Sequence, residues 1–393
     1  MATTDFHSNF DDATPLLAHL SATRPDTLIV DSGDFFEGTG YYRIGRGYLE
    51  RATLLALYDV IAPGNHGWQH YFEPDLHRIT VCANAYGADG RRLFRPVDIR
   101  RIGGRTVGVT GVLGHQAFNA IPYAERAGQH VTNPAHALRE LRLAHEEVES
   151  WAVLSHSGFE EDLLLADACP FLDLVFAGHC HGDQYGPVQV GGVNVLKGYE
   201  LGAGFAYAEP SECGWTARVS RFDLIASSPP PDGLEDVRAQ ISSIARELAA
   251  GLGIVAAPYR RTTLNRRSLL TDIIARIGAE RAVDAVLLNE TALRAVQLND
   301  VLTYGDLLAV EPFGNQLVRT TLPERFRSDP ASLMARLTEH AGPMASAPDP
   351  LPRRLHTVLT TGYLADAIGV PADATGPPLA QLVRQALTQG VGR

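Results

Sequence analysis

A two-domain α/β protein is what the sequence predicts, and three observations carry that expectation. Short apolar runs of strand length (27–30, 152–155 and 173–177 among them) each break into Gly, Asp, Asn or His. Between them lie stretches of helical spacing, with 16–20 and 133–151 the clearest. The Ser/Pro-rich stretch 227–233 is a stiff break, which sets a first domain at 1–226, a linker and helix at 227–251, and a second domain at 252–393. A chain of 393 residues has core enough for both.

The stretch 31–39 organises the rest. Residues 27–30 read as a buried strand that Asp31 closes with turn chemistry. Gly33 and Asp34 then sit just past its carboxyl end, where open α/β sheets collect ligand-binding residues.

Upstream, Asp5 and His7 are two apart, so an extended segment points both to one side, as a shared metal requires. Gly64, Asn65 and His66 follow another apparent strand end. Residues 106–112 alternate as a strand, and Asn133 with Pro134 reads as the cap and first turn of a helix over 133–151. The strand 152–155 runs into His156 and Gly158, and 173–177 into Gly178, His179, Cys180, His181 and Gly182. A hairpin follows, 188–190 with 193–195, turned by Gly191 and Gly192.

Past the break, Leu234, Val237, Ile241, Ile244 and Leu248 fall at a/d spacing and predict an amphipathic helix that stops at Gly251, packed between domains. The remainder mixes a helix over 269–276 with strands over 285–288 and 316–320, and 341–352 reads as a surface loop.

Apolar content of 45% and charged content of 20% are those of a soluble globular protein. A net charge of −11 with no extended Lys/Arg cluster argues against a nucleic-acid polymer or a membrane surface as partner, and leaves a small anion open. Lys197 is the sole lysine among 34 basic residues, a bias that points to a high-GC bacterial source. The four cysteines form no CxxC pair, which argues against a disulfide framework or a thiolate zinc site. No stretch reaches the roughly 18 apolar residues of a membrane span, and the amino terminus has no basic-then-apolar leader. The expectation is a cytoplasmic protein, or an exported one if the true start lies upstream.

Taken in order, these strand ends spell DxH, GD, GNH, SHxG and GHxH. That series resembles the calcineurin-like dinuclear metallophosphoesterases and, with the second half of the chain, the 5′-nucleotidase family. The resemblance implies a four-layer α/β/β/α sandwich with the site at its strand ends, then a smaller α/β substrate-binding domain that rotates about the 234–250 helix. It implies two divalent ions (Mn, Zn, Co or Fe), the first held by Asp5, His7, Asp34 and His181, the second by Asp34, Asn65, His156 and His179. Two cations about 4 Å apart neutralise phosphate oxygens and share a hydroxide, and a bridging carboxylate is what lets them sit so close. Cys180, between two of the ligands, would point away and pack.

His66 matches the family's catalytic histidine, which donates to the leaving ester oxygen. An Asp three residues later usually orients it, and here that place holds Gln69. A neutral amide can hold a ring but cannot stabilise an imidazolium.

In the second domain, residues 289–294 resemble the family's N-[GA]-G-x-x-R stretch, making Asn289 and Arg294 substrate contacts. Arg260 stands where the family places a further phosphate arginine, a task that suits a planar guanidinium. Phe313 within 311–315 and Tyr363 within 361–365 match its two base-stacking segments. Two departures concern the sugar and its surroundings: Arg267 and Ser268 replace a Gly-Asn, and the Gly-Gly-Asp after the second aromatic is missing, with Gly369 near its place.

The expected function is removal of the 5′-phosphate from a nucleoside monophosphate or analogue through a metal-bridging hydroxide. The alternatives are a hydrolase of another phosphate ester (UDP-sugar, cyclic nucleotide, sugar phosphate), a lyase or dehydratase on the same scaffold, and a non-catalytic nucleotide-binding protein.

Overall fold

A computed structural model describes residues 1–11, 13–212, 214–222, 234–280, 283–370 and 376–389. The chain divides into two compact units, Met1–Ile244 and Ala245–Arg393, with the helix Glu235–Leu248 running through the division. The expected linker at 227–233 lies outside the described residues.

The first unit is built on two sheets. One has five strands in the order 214–221, 204–211, 2–3, 30–31, 60–61, and its last three are parallel. The other has six, in the order 188–190, 193–197, 174–177, 150–156, 105–113, 98–102, with a parallel centre and an antiparallel strand at each edge. Apolar side chains from the facing surfaces of both sheets, Val30, Val60, Val109, Leu154, Phe176 and Ala206 among them, form one core. Strand alternation sends their neighbours outward. On the six-stranded sheet those neighbours (Val112, Val153, Val175) meet the helices Pro134–Ala144 and Phe159–Ala168 through Leu138, Leu141, Phe159 and Leu165. On the five-stranded sheet Phe205 stacks against His19 of the helix Thr14–Thr23, with ring centroids 4.7 Å apart. Helix, sheet, sheet, helix is the expected four-layer order. Parallel strands place their carboxyl ends on one side, and Asp5, Asp34, Asn65, His156 and His179 all lie at or just past such ends.

The second unit has a four-stranded sheet in the order 317–321, 357–361, 285–289, 344–347. The helices Arg266–Glu280 and Leu379–Gln389 cover one face through Leu270, Ile273, Ile277 and Val383, and Pro330–Ala341 with Gly362–Ile368 covers the other through Leu333, Leu337 and Leu364.

Three elements differ from expectation. The strand expected over 27–30 is Val30–Asp31, so Asp31 lies within it rather than closing it. The helix begun at Pro134 stops at Ala144, and Trp151 belongs to the strand Ser150–His156. Asp173 fixes that strand's start by accepting hydrogen bonds from the Trp151 amide and the Ser150 hydroxyl at 2.9 and 2.7 Å. Within the expected surface loop 341–352, Met344–Ala347 is an edge strand antiparallel to Ala285–Asn289. Its Met-Ala-Ser-Ala sequence carries no β-branched signal, and pairing with a preformed edge supplies what propensity does not.

Candidate metal centre

The expected ligands come together in the first unit. Asp5, His7 and His181 each offer a donor atom within 4.8 Å of the others, as do Asp34, His156 and His179. The two groups are joined through His7, whose Nε2 lies 3.8 Å from Asp5 Oδ1, 3.9 Å from Asp34 Oδ2 and 3.2 Å from His181 Nε2. His156 Nε2 lies 3.2 Å from Asp34 Oδ2 and 3.3 Å from Asn65 Oδ1. Asp5, Asp34, His156, His7 and Asn65 are all buried.

Asp5, Asp34 and His156 are each aimed by a second contact. His156 Nδ1–H donates to Ser32 O at 2.8 Å, which fixes the ring with Nε2 turned to Asp34. Asp5 Oδ2 accepts from the Thr4 hydroxyl at 2.6 Å and from the His179 amide at 3.1 Å. Asp34 Oδ1 accepts from the His66 amide at 2.8 Å, freeing Oδ2 to face the imidazoles. The backbone is strained to achieve this: Asp5, His7, Asp34 and His179 all have positive φ, between 49 and 74°. Gly64 lets the strand ends approach, since a Cβ there would lie 2.0 Å from Asp34 Oδ1.

Burial raises the Asp34 carboxyl, but the charge and hydrogen bond of His156 outweigh it and hold the group well below the usual carboxylate range. Burial likewise opposes ionisation of Asp5, which His181 and the other imidazoles hold low. His179 is pushed down to about 4 by burial and by neighbouring His156. Burial lowers the His156 imidazole, but the charge and hydrogen bond of Asp34 push it up to about 9, so a cation would displace that proton on binding. Ionised carboxylates and neutral imidazoles are the states that bind divalent ions. Two imidazole nitrogens 3.2 Å apart facing two carboxylates fit shared cations better than they fit one another. The residues therefore fit divalent ions with N/O ligands.

His66 borders this cluster, its ring centroid 5.0 Å from that of His7. Its expected partner does not hold it. Gln69 makes no hydrogen bond to His66 and instead lines a cavity of about 760 Å³ with Glu37, Arg43, Arg46 and Glu125. His66 Nδ1–H donates to Glu37 Oε2 at 3.0 Å. Burial lowers the His66 imidazole, but Glu37 and then Asp34 raise it above its ordinary value. Glu37 stood in plain view between Asp34 and Thr39, but spacing alone does not bring position 37 to position 66. Cys180 packs as expected, its Sγ accepting from the Phe159 amide at 3.1 Å.

In the second unit, Asn289, Arg294, Phe313 and Tyr363 line one cavity of about 360 Å³ together with Thr291, Ala292 and Asn315. Arg260 does not line it; its Nε donates to Val255 O at 2.8 Å. Phe313 and Tyr363 are about half exposed, at 50% and 49%. The Arg294 guanidinium lies 5.2 Å over the Phe313 ring, and His340 stacks on Tyr363 with centroids 5.0 Å apart. Glu311 holds the Phe313 loop by accepting from the Gly314 and Asn315 amides, both at 3.0 Å. Asn289 is buried, its Nδ2 donates to Thr291 Oγ1 at 2.7 Å, and its Oδ1 has no partner. Gly369 ends the helix Gly362–Ile368 in a left-handed cap, and 371–375 lie outside the described residues.

Among the described residues no helix is long and apolar enough to cross a membrane.

Residues 1–183 match the calcineurin-like phosphoesterase family. The chain is 27% identical over 179 residues to a rat 5′-nucleotidase, a match covering 41% of this chain and 30% of that protein. Its fold is similar to that of a 5′-nucleotidase precursor from Thermus thermophilus (TM-score 0.70, 18% identity, 99% of this chain and 96% of that one). It is also similar to a sulfate thiohydrolase from the same organism (TM-score 0.68, 18% identity, 96% and 80% covered). The last two likenesses concern the fold alone.

Proposed function

Because the chain belongs, through residues 1–183, to the calcineurin-like phosphoesterases, we propose that it is a metal-dependent phosphomonoesterase acting on a nucleoside 5′-monophosphate or a close analogue. The observation that carries this reading is the convergence of seven expected donors on one largely buried cluster, with a carboxylate-paired histidine at its border.

Asp5, His7, Asp34 and His181 would hold one divalent ion and Asp34, Asn65, His156 and His179 the other. Bound there, the ions would neutralise the phosphate oxygens and acidify a water to a nucleophile near neutral pH. His66 would give a hydrogen bond or proton from Nε2 to the departing ester oxygen. Glu37, accepting from Nδ1–H, fixes the tautomer and steadies the positive charge on the ring. The sequence offers His66 only an amide three residues on; with Glu37 at Nδ1 the ring has a carboxylate, and that amide no longer favours a lyase or dehydratase.

Nucleoside recognition belongs to the second unit in this reading. Phe313 and Tyr363 offer stacking faces at the cavity that Asn289 and Arg294 line. The orientation of Asn289 is fixed: the Thr291 hydroxyl donates to Ala341 O at 2.8 Å and can only accept from Asn289, so Oδ1 is the free atom. A lone buried acceptor calls for a ligand N–H.

The test is release of inorganic phosphate by protein reconstituted with Mn, Zn or Co, over nucleoside mono- and diphosphates, UDP-glucose and sugar phosphates. Release from 5′-monophosphates that Asp34→Asn abolishes is the expected result. Silence across the panel with both ions bound would refute the reading.

A further inference from the structure

Seven parallel strands of the first unit end on the cluster's side, and five of them carry the expected donors. Of the other two, Val193–Lys197 pairs in parallel with Leu174–Ala177 and ends in the chain's only lysine. Its side chain is fully buried, with 0% exposure. All three ammonium hydrogens have acceptors: Cys180 O at 2.7 Å, Gly182 O at 2.8 Å and Glu200 Oε1 at 2.5 Å. The first two are the carbonyls of the residues on either side of His181. The Tyr185 ring lies beside the ammonium, 4.9 Å from Nζ, and the Tyr185 hydroxyl donates to the other Glu200 oxygen at 3.3 Å.

We propose that Lys197 is a positioning residue for the candidate metal centre: its buried ammonium, balanced by Glu200, clamps the backbone on both sides of His181 and so places that imidazole.

Two comparisons carry the inference. His156 is aimed through its own ring, by Nδ1–H to Ser32 O, and His179 through its backbone amide on Asp5. His181 has neither device, and its side chain is half exposed, so its place depends on its backbone. Among the described residues no backbone N–H bonds to Cys180 O or Gly182 O, which leaves Lys197 as the fastening. The second comparison is with composition. A chain that otherwise uses arginine keeps lysine where three acceptors surround one nitrogen. An ammonium directs three donors from a single point, whereas a planar guanidinium cannot.

This rests on His181 being a metal ligand, and the test separates the two claims. Metal-free protein is titrated with Co(II), the two binding steps being followed by visible absorption. His181→Ala and Lys197→Met should each weaken one step and spare the other, Lys197→Met by about 10- to 100-fold, the range for residues that orient a ligand. In the double variant Lys197→Met should add nothing to His181→Ala, because it acts through that ring. Lys197→Arg should also weaken that step despite keeping the charge.

If His181→Ala binds both ions as the parent does, the metal-centre reading itself fails. If His181→Ala weakens one step but Lys197→Met leaves both unchanged, weakens both alike, or adds fully in the double variant, the inference alone is overturned. Should Lys197→Met not fold, Glu200→Gln keeps the ammonium and both carbonyl bonds while removing the counter-charge. A selective loss at the same step supports the clamp, and no loss or a uniform loss overturns it.

Discussion

The metal cluster and the aromatic cavity solve opposite problems. The cluster is largely buried, Asp5, Asp34 and His156 aimed by second contacts from Ser32, Thr4 and the His66 and His179 amides, and its backbone strained at four of the expected ligands. The cavity is open, with two half-exposed rings on separate segments and one unsatisfied amide oxygen. Chemistry that must hold reacting atoms in place tolerates strain and burial. Recognition of a flat ligand needs accessible faces and few fixed polar atoms. Substitutions in the two regions should therefore fail differently, the first in kcat and metal content, the second in KM.

Asp34→Asn probes that division most severely. Asp34 is the one carboxylate expected in both ion sites, and its loss should lower kcat by more than about 10³-fold, the upper scale for removing a central electrostatic group. Steady-state phosphate release measures it, and a change confined to KM would break the comparison.

Next comes Glu37→Gln, which should lower kcat by about 10- to 100-fold, with metal content and KM unchanged, because it touches only the orientation and charge of His66. Gln69→Ala should change kcat by less than about threefold on the same scale. The reverse ranking would return the orienting role to position 69.

Phe313→Ala and Tyr363→Ala should each raise KM by roughly 5- to 150-fold, matching a stacking contribution of about 1–3 kcal/mol, with kcat nearly unchanged. Loss of kcat instead would mean that the cavity takes part in chemistry.

The smallest effect concerns what burial does beneath the cluster. Asp162 accepts from the Ser155 hydroxyl at 2.5 Å, its second oxygen has no partner, and burial pushes its carboxyl up to about 8. The folded state then holds a proton that the unfolded chain releases near pH 4, so the Asp162 contribution falls as pH rises from about 4 to 8. Asp162→Asn removes that ionisation. The Tm difference, variant minus parent, should grow by a few degrees between pH 5 and pH 8, and a flat difference would contradict the buried neutral carboxyl.

Much of the first unit was legible because its chemistry is local to strand ends. DxH, GD, GNH, SHxG and GHxH are each read within a few residues, and parallel strands do the gathering. What escaped depends on partners remote in sequence. Glu37 reaches His66 only through the turn after Asp34, and Lys197 reaches the carbonyls around His181 only because Val193–Lys197 pairs with Leu174–Ala177. Met344–Ala347 became a strand by joining an edge that its own residues do not announce. Arg260 matched its family position in sequence, yet does not line the cavity that holds Asn289 and Arg294.

Metal stoichiometry tests the central claim most directly. Purified protein is loaded with divalent ions, dialysed, and assayed by inductively coupled plasma mass spectrometry beside Asp34→Asn. The account predicts two ions per chain in the parent and one or none in the variant. Fewer than one ion in the parent, or an unchanged count in Asp34→Asn, would contradict it.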